Sequence, residues 1–227
     1  MKIFEYIIAI SLLLILFLLS PKYTSNHSLE VAHSSLLAHL KMLQMTALSD
    51  DSAFLQGADT RDMLRNYPSL NANALLSHHH NAMWQVQFHL GKVYTTHSYS
   101  LYIDTPRFAS TTHFDSRPMA GDIILKNMDR KCLSAYNNTN TAQECKNNAF
   151  MFVRLGEYFG VEHILIESDS FCKERQGARV YFDRYGTPYC GNIPTPLRSP
   201  FKVTLLKGTY MKSVCILPQN GLITTQC

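Results

Sequence analysis

Residues 6–19, YIIAISLLLILFLL, form an apolar run that no charge interrupts. Beyond Pro21 and a short polar stretch the pattern changes: Leu29, Ala32, Leu36, Leu40, Leu43 and Ala47 recur at spacings of three and four. Apolar residues all round predict a helix surrounded by apolar material, whereas the recurring set predicts a single stripe on an amphipathic helix. Glu30, His33, His39, Lys41 and Gln44 lie mostly off that stripe, and Ser49-Asp50-Asp51-Ser52 ends it. Joined end to end, the two segments make a rod of about 48 residues, roughly 70 Å long at 1.5 Å per residue. Pro21 lacks the N–H that closes the preceding turn and so marks a kink or a loosened turn between them.

The remaining pattern is that of strands. Trp84-Gln85-Val86-Gln87-Phe88 alternates apolar and polar residues, Gly91-Lys92 makes a turn, and residues 93–103 continue as a Tyr- and Thr-rich second strand of a hairpin. Residues 104–148 read as irregular, with Pro106, Pro118 and Gly121 as breakers and a polar insert, Asn137-Asn138-Thr139-Asn140-Thr141. A short helix is expected over 150–159, capped by Asn147 or Asn148 and stopped by Gly160 in the left-handed conformation. Strands follow at 161–166 (buried), 178–183, 201–206, 211–217 and 222–225, separated by turns at Arg184-Tyr185-Gly186, Gly208 and Pro218-Gln219-Asn220-Gly221. The class this predicts is α+β, a long N-terminal helix packed on a mostly antiparallel sheet. Its expected divisions are an N-terminal membrane anchor (1–23), an amphipathic continuation of the helix (24–49) and a β-rich globular domain (50–227).

A fourteen-residue uncharged run is short against the roughly 20 of a comfortable membrane span and suits a signal core or a short anchor. The bulky Phe17-Leu18-Leu19 stands where a small-residue cleavage site would lie, which favours a retained anchor and an exported chain. Charge adds little, since 21 Lys+Arg against 17 Asp+Glu leaves a formal +4 and no polybasic tail, so nucleic acid is not an expected partner.

Cysteine usage changes the picture more. Cys132, Cys145, Cys172, Cys190, Cys215 and Cys227 are even in number, all follow the anchor, and none has zinc-type spacing. They read as a disulfide framework in an oxidising compartment rather than as six reduced thiols in a cytosolic core. Six cysteines allow fifteen connectivities. Pairing in chain order closes three short loops and is the expected one, each bridge contributing on the order of 3 kcal/mol.

Catalytic chemistry is not indicated. The chain lacks G-x-S-x-G, H-E-x-x-H and phosphate-binding glycine loops, and its carboxylates do not cluster. No enzyme, cofactor or metal site is expected, and His78-His79-His80 reads as a solvated loop before a strand. The exceptional ionisable group is Glu5, within a hydrophobic helix, where a carboxylate costs roughly 2.5–3.5 kcal/mol on insertion scales. Either it lies solvated beside Lys2, or it finds an ammonium partner such as the N-terminal amine of another copy.

Phe4-Glu5, the apolar run, Ser20-Pro21-Lys22-Tyr23 and the amphipathic stripe together resemble the N-terminal helix of type IV pilins and of type II secretion pseudopilins. The segment Val180-Tyr181-Phe182-Asp183-Arg184-Tyr185-Gly186-Thr187-Pro188 and the two closing strands are similar to those of the minor H-type pseudopilins. That resemblance implies a minor subunit of a type II secretion or DNA-uptake (competence) filament, held by one inner-membrane span with its C-terminal domain in the periplasm. The implied partners are the lipid bilayer and other pilin or pseudopilin subunits, met through the N-terminal helix, with Glu5 and Pro21 as assembly residues. The basic C-terminal tail with which some competence pseudopilins hold DNA has no counterpart here. The rival expectation is a signal-anchored periplasmic binding module outside any filament, using the Tyr-rich sheet or the Cys132–Cys145 loop.

Overall fold

The computed structural model describes residues 2–50, 83–91, 95, 97–105, 116–135, 141–174, 177–191 and 195–227, with helix side chains described for residues 6–15 and from residue 26 onward. The expected loop over 54–81 with His78-His79-His80, the Lys92 half of the first turn and most of the polar insert at 137–141 lie outside the described residues.

Helix α1 spans Lys2–Ser49. Its stripe of Leu29, Ala32, Leu36, Leu40, Leu43 and Ala47 is buried throughout, no member more than 1% exposed, as a three-and-four spacing places one face against a core. Two sheets receive it. The first has the order β3–β2–β1–β6–β7–β8, from β1 (Trp84–His89), β2 (Ser98–Ile103), β3 (Ile123–Ile124), β6 (Gly177–Phe182), β7 (Pro188–Cys190) and β8 (Thr195–Pro196), with the short β5 (Lys173–Glu174) also on β6. The second has the order β11–β10–β9–β4, from β4 (His163–Glu167), β9 (Phe201–Lys207), β10 (Tyr210–Ile216) and β11 (Ile223–Thr224). Every strand pair in both is antiparallel. The sheets share one core with the helix, where Phe88 of β1 stacks on Phe201 of β9 at a centroid distance of 6.1 Å. Two short α-helices, α2 (Gln143–Asn147) and α3 (Leu155–Phe159), and two 3-10 turns, Met151–Val153 and Ser170–Cys172, complete the described elements.

The expected architecture, a long helix with a membrane half and an amphipathic half on a single pilin-like sheet, is corrected on three counts. The helix that packs is short, confined to the stripe from Leu29 to Ala47. The β part is two sheets rather than one. Among the described residues no helix is long and apolar enough to cross a membrane. The exposed apolar stretch with described side chains, residues 6–15, extends about 15 Å, half of a ~30 Å hydrocarbon layer. The transmembrane helix and the single-pass inner-membrane placement are withdrawn with it.

Smaller differences have local causes. The helix expected over 150–159 splits into a 3-10 turn, Met151–Val153, and α3, because Phe150 and Phe152 turn into an aromatic cluster that includes His39 of α1. Asn148 follows α2 as its C-cap rather than capping a following helix. Gly160 does terminate α3 at φ +69. The strand expected to be buried at 161–166 is the edge strand β4, whose His163, Leu165 and Glu167 are exposed.

One side chain ties the helix to both sheets. Gln44 Nε2 donates to the carbonyls of Gly186 (3.2 Å) in the β6–β7 turn and of Asn220 (3.4 Å) and Gly221 (2.9 Å) in the β10–β11 turn. Gly221 has φ +64, and a Cβ there would lie 2.2 Å from Gly186 O and 2.6 Å from Gln44 Nε2. Gly208 has a similar φ of +57 but open space around it. Gly208→Ala should therefore lose only the left-handed penalty, ~1 kcal/mol, whereas Gly221→Ala should lose about 3 kcal/mol or more, because backbone and clamp must both shift. Urea denaturation of the two variants checks this, and equal losses would show that the clamp is not under steric control.

Candidate assembly surface

The described residues offer three places where function could reside: the exposed half of α1, the disulfide-stapled loops and the polar face of the first sheet.

In α1 the side chains from Tyr6 to Ile15 touch nothing that hides them. Eight large apolar side chains there are exposed, from 46% at Ile8 to 68% at Tyr6. Ser11 is the polar exception, and its hydroxyl donates to Ile7 O at 2.7 Å, so the helix presents no unsatisfied group on that side chain. A monomeric soluble surface rarely carries an apolar patch larger than a few hundred Å2. Eight half-exposed large side chains amount to roughly 800 Å2, the contribution of one partner to a standard interface. Glu5 and Pro21 lie within the bounds of α1, and their side chains are outside the described ones.

The six cysteines pair in chain order. Cys132–Cys145, Cys172–Cys190 and Cys215–Cys227 join Cα atoms 5.3, 5.0 and 5.6 Å apart. The first bridge anchors α2 beside the extended segment at Cys132, with Lys126 Nζ on Glu144 Oε1 at 2.5 Å next to it. The second fastens the residues before β5 to β7, and the third holds residue 227 to β10. None leaves a free thiol.

The polar face of the first sheet is closed rather than open. The alternation in β1 suggests a wet face carrying Gln85, Gln87 and His89, yet all six residues of β1 are buried, as are all six of β2 and of β6. Register places Gln85 opposite Tyr102 and Tyr181, and Gln87 opposite Ser100 and Arg179. The Arg179 side chain is 5% exposed and donates from Nε to Glu174 Oε1 (2.6 Å), from Nη2 to Glu174 Oε2 (3.2 Å) and Ser116 O (3.0 Å), and from Nη1 to Gln85 Oε1 (3.3 Å). The Tyr102 hydroxyl donates to Gln87 Oε1 at 3.1 Å, and His89 Nε2 lies 2.8 Å from Ser100 Oγ. Hydrogen bonds within the sheet thus replace the water that a half-buried strand would have used. Tyr99, Tyr102 and Tyr181 are all buried, so these three described tyrosines are not part of an exposed face.

Burial pushes the Tyr99 and Tyr102 hydroxyls up, and Tyr181 to about 12. Burial, with the Arg179 charge adding to it, depresses His89 to about 3, and burial alone depresses His39 to about 4. His39 Nδ1 lies 2.7 Å from Tyr99 Oη, at the contact between α1 and β2. Among the described residues no group of three or more His, Cys, Asp or Glu is placed to hold a metal ion.

Sequence reasoning did not find the Arg179–Glu174 pair or the Gln44 clamp. Gln44 sits off the apolar stripe, where an amide reads as solvated. A basic residue inside a strand, as Arg179 is, could have signalled a buried partner.

No protein-family model, curated protein or solved structure matches this chain. The pseudopilin, secretion and competence assignments therefore have no family behind them, and the transmembrane assignment is overturned by the helix itself.

The histidines set an acid limit on the fold. His39 and His89 are held neutral in the folded chain well below their unfolded value of about 6.5, so their contribution to stability is whole above that pH. Between about pH 6.5 and 4.5 the unfolded chain takes up protons that the folded chain refuses, and stability should fall by ~1.4 kcal/mol per pH unit for each histidine. His39→Gln should roughly halve that slope in urea titrations across this window. A midpoint that is flat with pH would contradict the assigned burial.

Proposed function

We propose that this protein is a non-enzymatic assembly subunit that polymerises through the exposed apolar half of α1. The observation that carries the reading is the contrast within one helix: the stripe from Leu29 to Ala47 is sealed against two sheets while residues 6–15 stand bare. The helix is continuous from the buried stripe to this bare part, and the side chains at 6–15 are all exposed. The resemblance to pilin-like filament subunits supports the same role, with Glu5 neutralising the N-terminal amine of an adjacent copy and Pro21 adapting the rod to its neighbours. The disulfide-stapled loops would then form the outside of the assembly.

Magnitudes set the strength of such contacts. Removing the rest of each half-exposed side chain from water contributes ~1 kcal/mol, so eight of them supply on the order of 10 kcal/mol. Association costs ~4–15 kcal/mol in lost freedom. Rod against rod is thus marginal for a single pair of copies and becomes productive when each rod meets several neighbours.

Sedimentation velocity of the full chain, followed from low to high micromolar concentration, tests the reading. Oligomers that grow with concentration are expected. Ile10→Asp and Leu13→Asp, at side chains 58% and 66% exposed, should abolish them without moving the denaturation midpoint. Glu5→Ala should leave the monomer folded but weaken assembly. A wild-type chain that stays monomeric throughout would end the proposal.

A further inference from the structure

We infer that the opposite end of α1 carries the docking surface for this rod, so that the rod of one copy seats on the helix end of the next. The inference rests on the assembly reading above and names the receiving surface.

Met45 and Leu48, one helical turn apart, are 63% and 46% exposed at the C-terminal end of α1. Gln44 on the same turn pulls the β6–β7 and β10–β11 turns against this end through its three carbonyl contacts. Each turn brings an exposed apolar side chain: Tyr185 is 70% and Leu222 is 52% exposed. A Cβ on Gly186 would lie 3.3 Å from Leu48 Cδ2, which places the Tyr185 turn directly beside the helix. The pad is therefore assembled from one helix and both sheets.

Tyr185 is held in place although it is exposed. The Arg184 guanidinium lies 4.8 Å from its ring centroid and donates from Nη2 to its hydroxyl at 2.6 Å. An ordered Tyr–Arg pair loses little side-chain entropy on binding, and both residue types are enriched at the energetic centres of interfaces. Four such side chains expose on the order of 400 Å2, the size of the largest apolar patch on a typical monomer, which is often functional.

Geometry selects the occupant. The rod and the pad sit about 50 Å apart on one helix at 1.5 Å per residue, so the rod cannot reach the pad of its own chain. A second copy supplies the matching apolar surface at equal concentration. Rod-to-pad contact joins two different surfaces, which is a heterologous interface and propagates into an open filament or a ring rather than closing as a two-fold dimer. It also adds the area that rod-to-rod contact lacks.

The test places a benzophenone amino acid at Tyr185 of the full chain and maps photocrosslinks by mass spectrometry. Crosslinks to residues 6–15 of another copy are expected. Leu222→Asp and Tyr185→Asp should each weaken assembly at least tenfold with an unchanged denaturation midpoint. Crosslinks that fall only elsewhere on another copy, with Leu13→Asp still dissociating the assembly, would overturn the docking site and leave the assembly reading standing. Crosslinks confined to one chain would overturn it too. A wild type that is monomeric at every concentration would remove both.

Discussion

The packing of one leucine-rich stripe against two sheets is the contact on which the rest of this structure depends. Leu29, Leu36, Leu40 and Leu43 are fully buried, and a buried leucine contributes ~1.5–3 kcal/mol relative to an exposed one. Neither sheet could close a core alone. The four-stranded sheet is small and the first sheet turns its other face to a polar layer, so the helix supplies the apolar surface they share. Phe88 and Phe201 show the result, a strand of each sheet meeting beneath the helix.

Given that contact, the polar elements follow. Gln44 lies just off the stripe and can reach both turns only because the helix already sits between the sheets. Lys207 Nζ similarly reaches Ser28 Oγ at 2.7 Å and Phe159 O at 2.8 Å, joining β9, α1 and the end of α3. On the far side of the first sheet, the buried Arg179, paired with the partly exposed Glu174, is tolerated because the guanidinium is satisfied by four contacts. Such a pair adds little net stability over an apolar substitute, but losing one partner costs ~3–5 kcal/mol. The three bridges constrain the loops and chain end around this frame.

Function on this reading comes from what the frame leaves uncovered. The polar layer of the first sheet is largely hydrogen-bonded within itself and Tyr99, Tyr102 and Tyr181 are buried, whereas exposed apolar area is what the described surface offers to a partner. The helix continues beyond the core as a bare rod and ends in a pad that the Gln44 clamp assembles. A rigid helix between two sticky ends separates them, and separation converts self-complementarity into polymerisation rather than self-occlusion.

Much of the fold was legible locally. Three-and-four spacing over 29–47 identified the packed face, Gly160 the end of α3, and the turns at Gly186, Gly208 and Gly221 the strand boundaries, because each rests on backbone geometry or periodicity within a few residues. The exposed rod was equally visible as an unbroken apolar run, though whether it meets lipid or protein is not a local property, and among the described residues no helix is long and apolar enough to cross a membrane. Only tertiary structure could divide the strands between two sheets, bury the polar side of β1 and place the β5, β7 and β8 pairings. These depend on partners far apart in the chain, such as Arg179 with Gln85 and Gln44 with Gly221. The sequence by itself determined which face of the helix is buried and where the chain turns, since those follow from spacing. What those faces meet was decided in three dimensions, where a glutamine that looks solvated became the clamp and a strand that looks half-wet became dry.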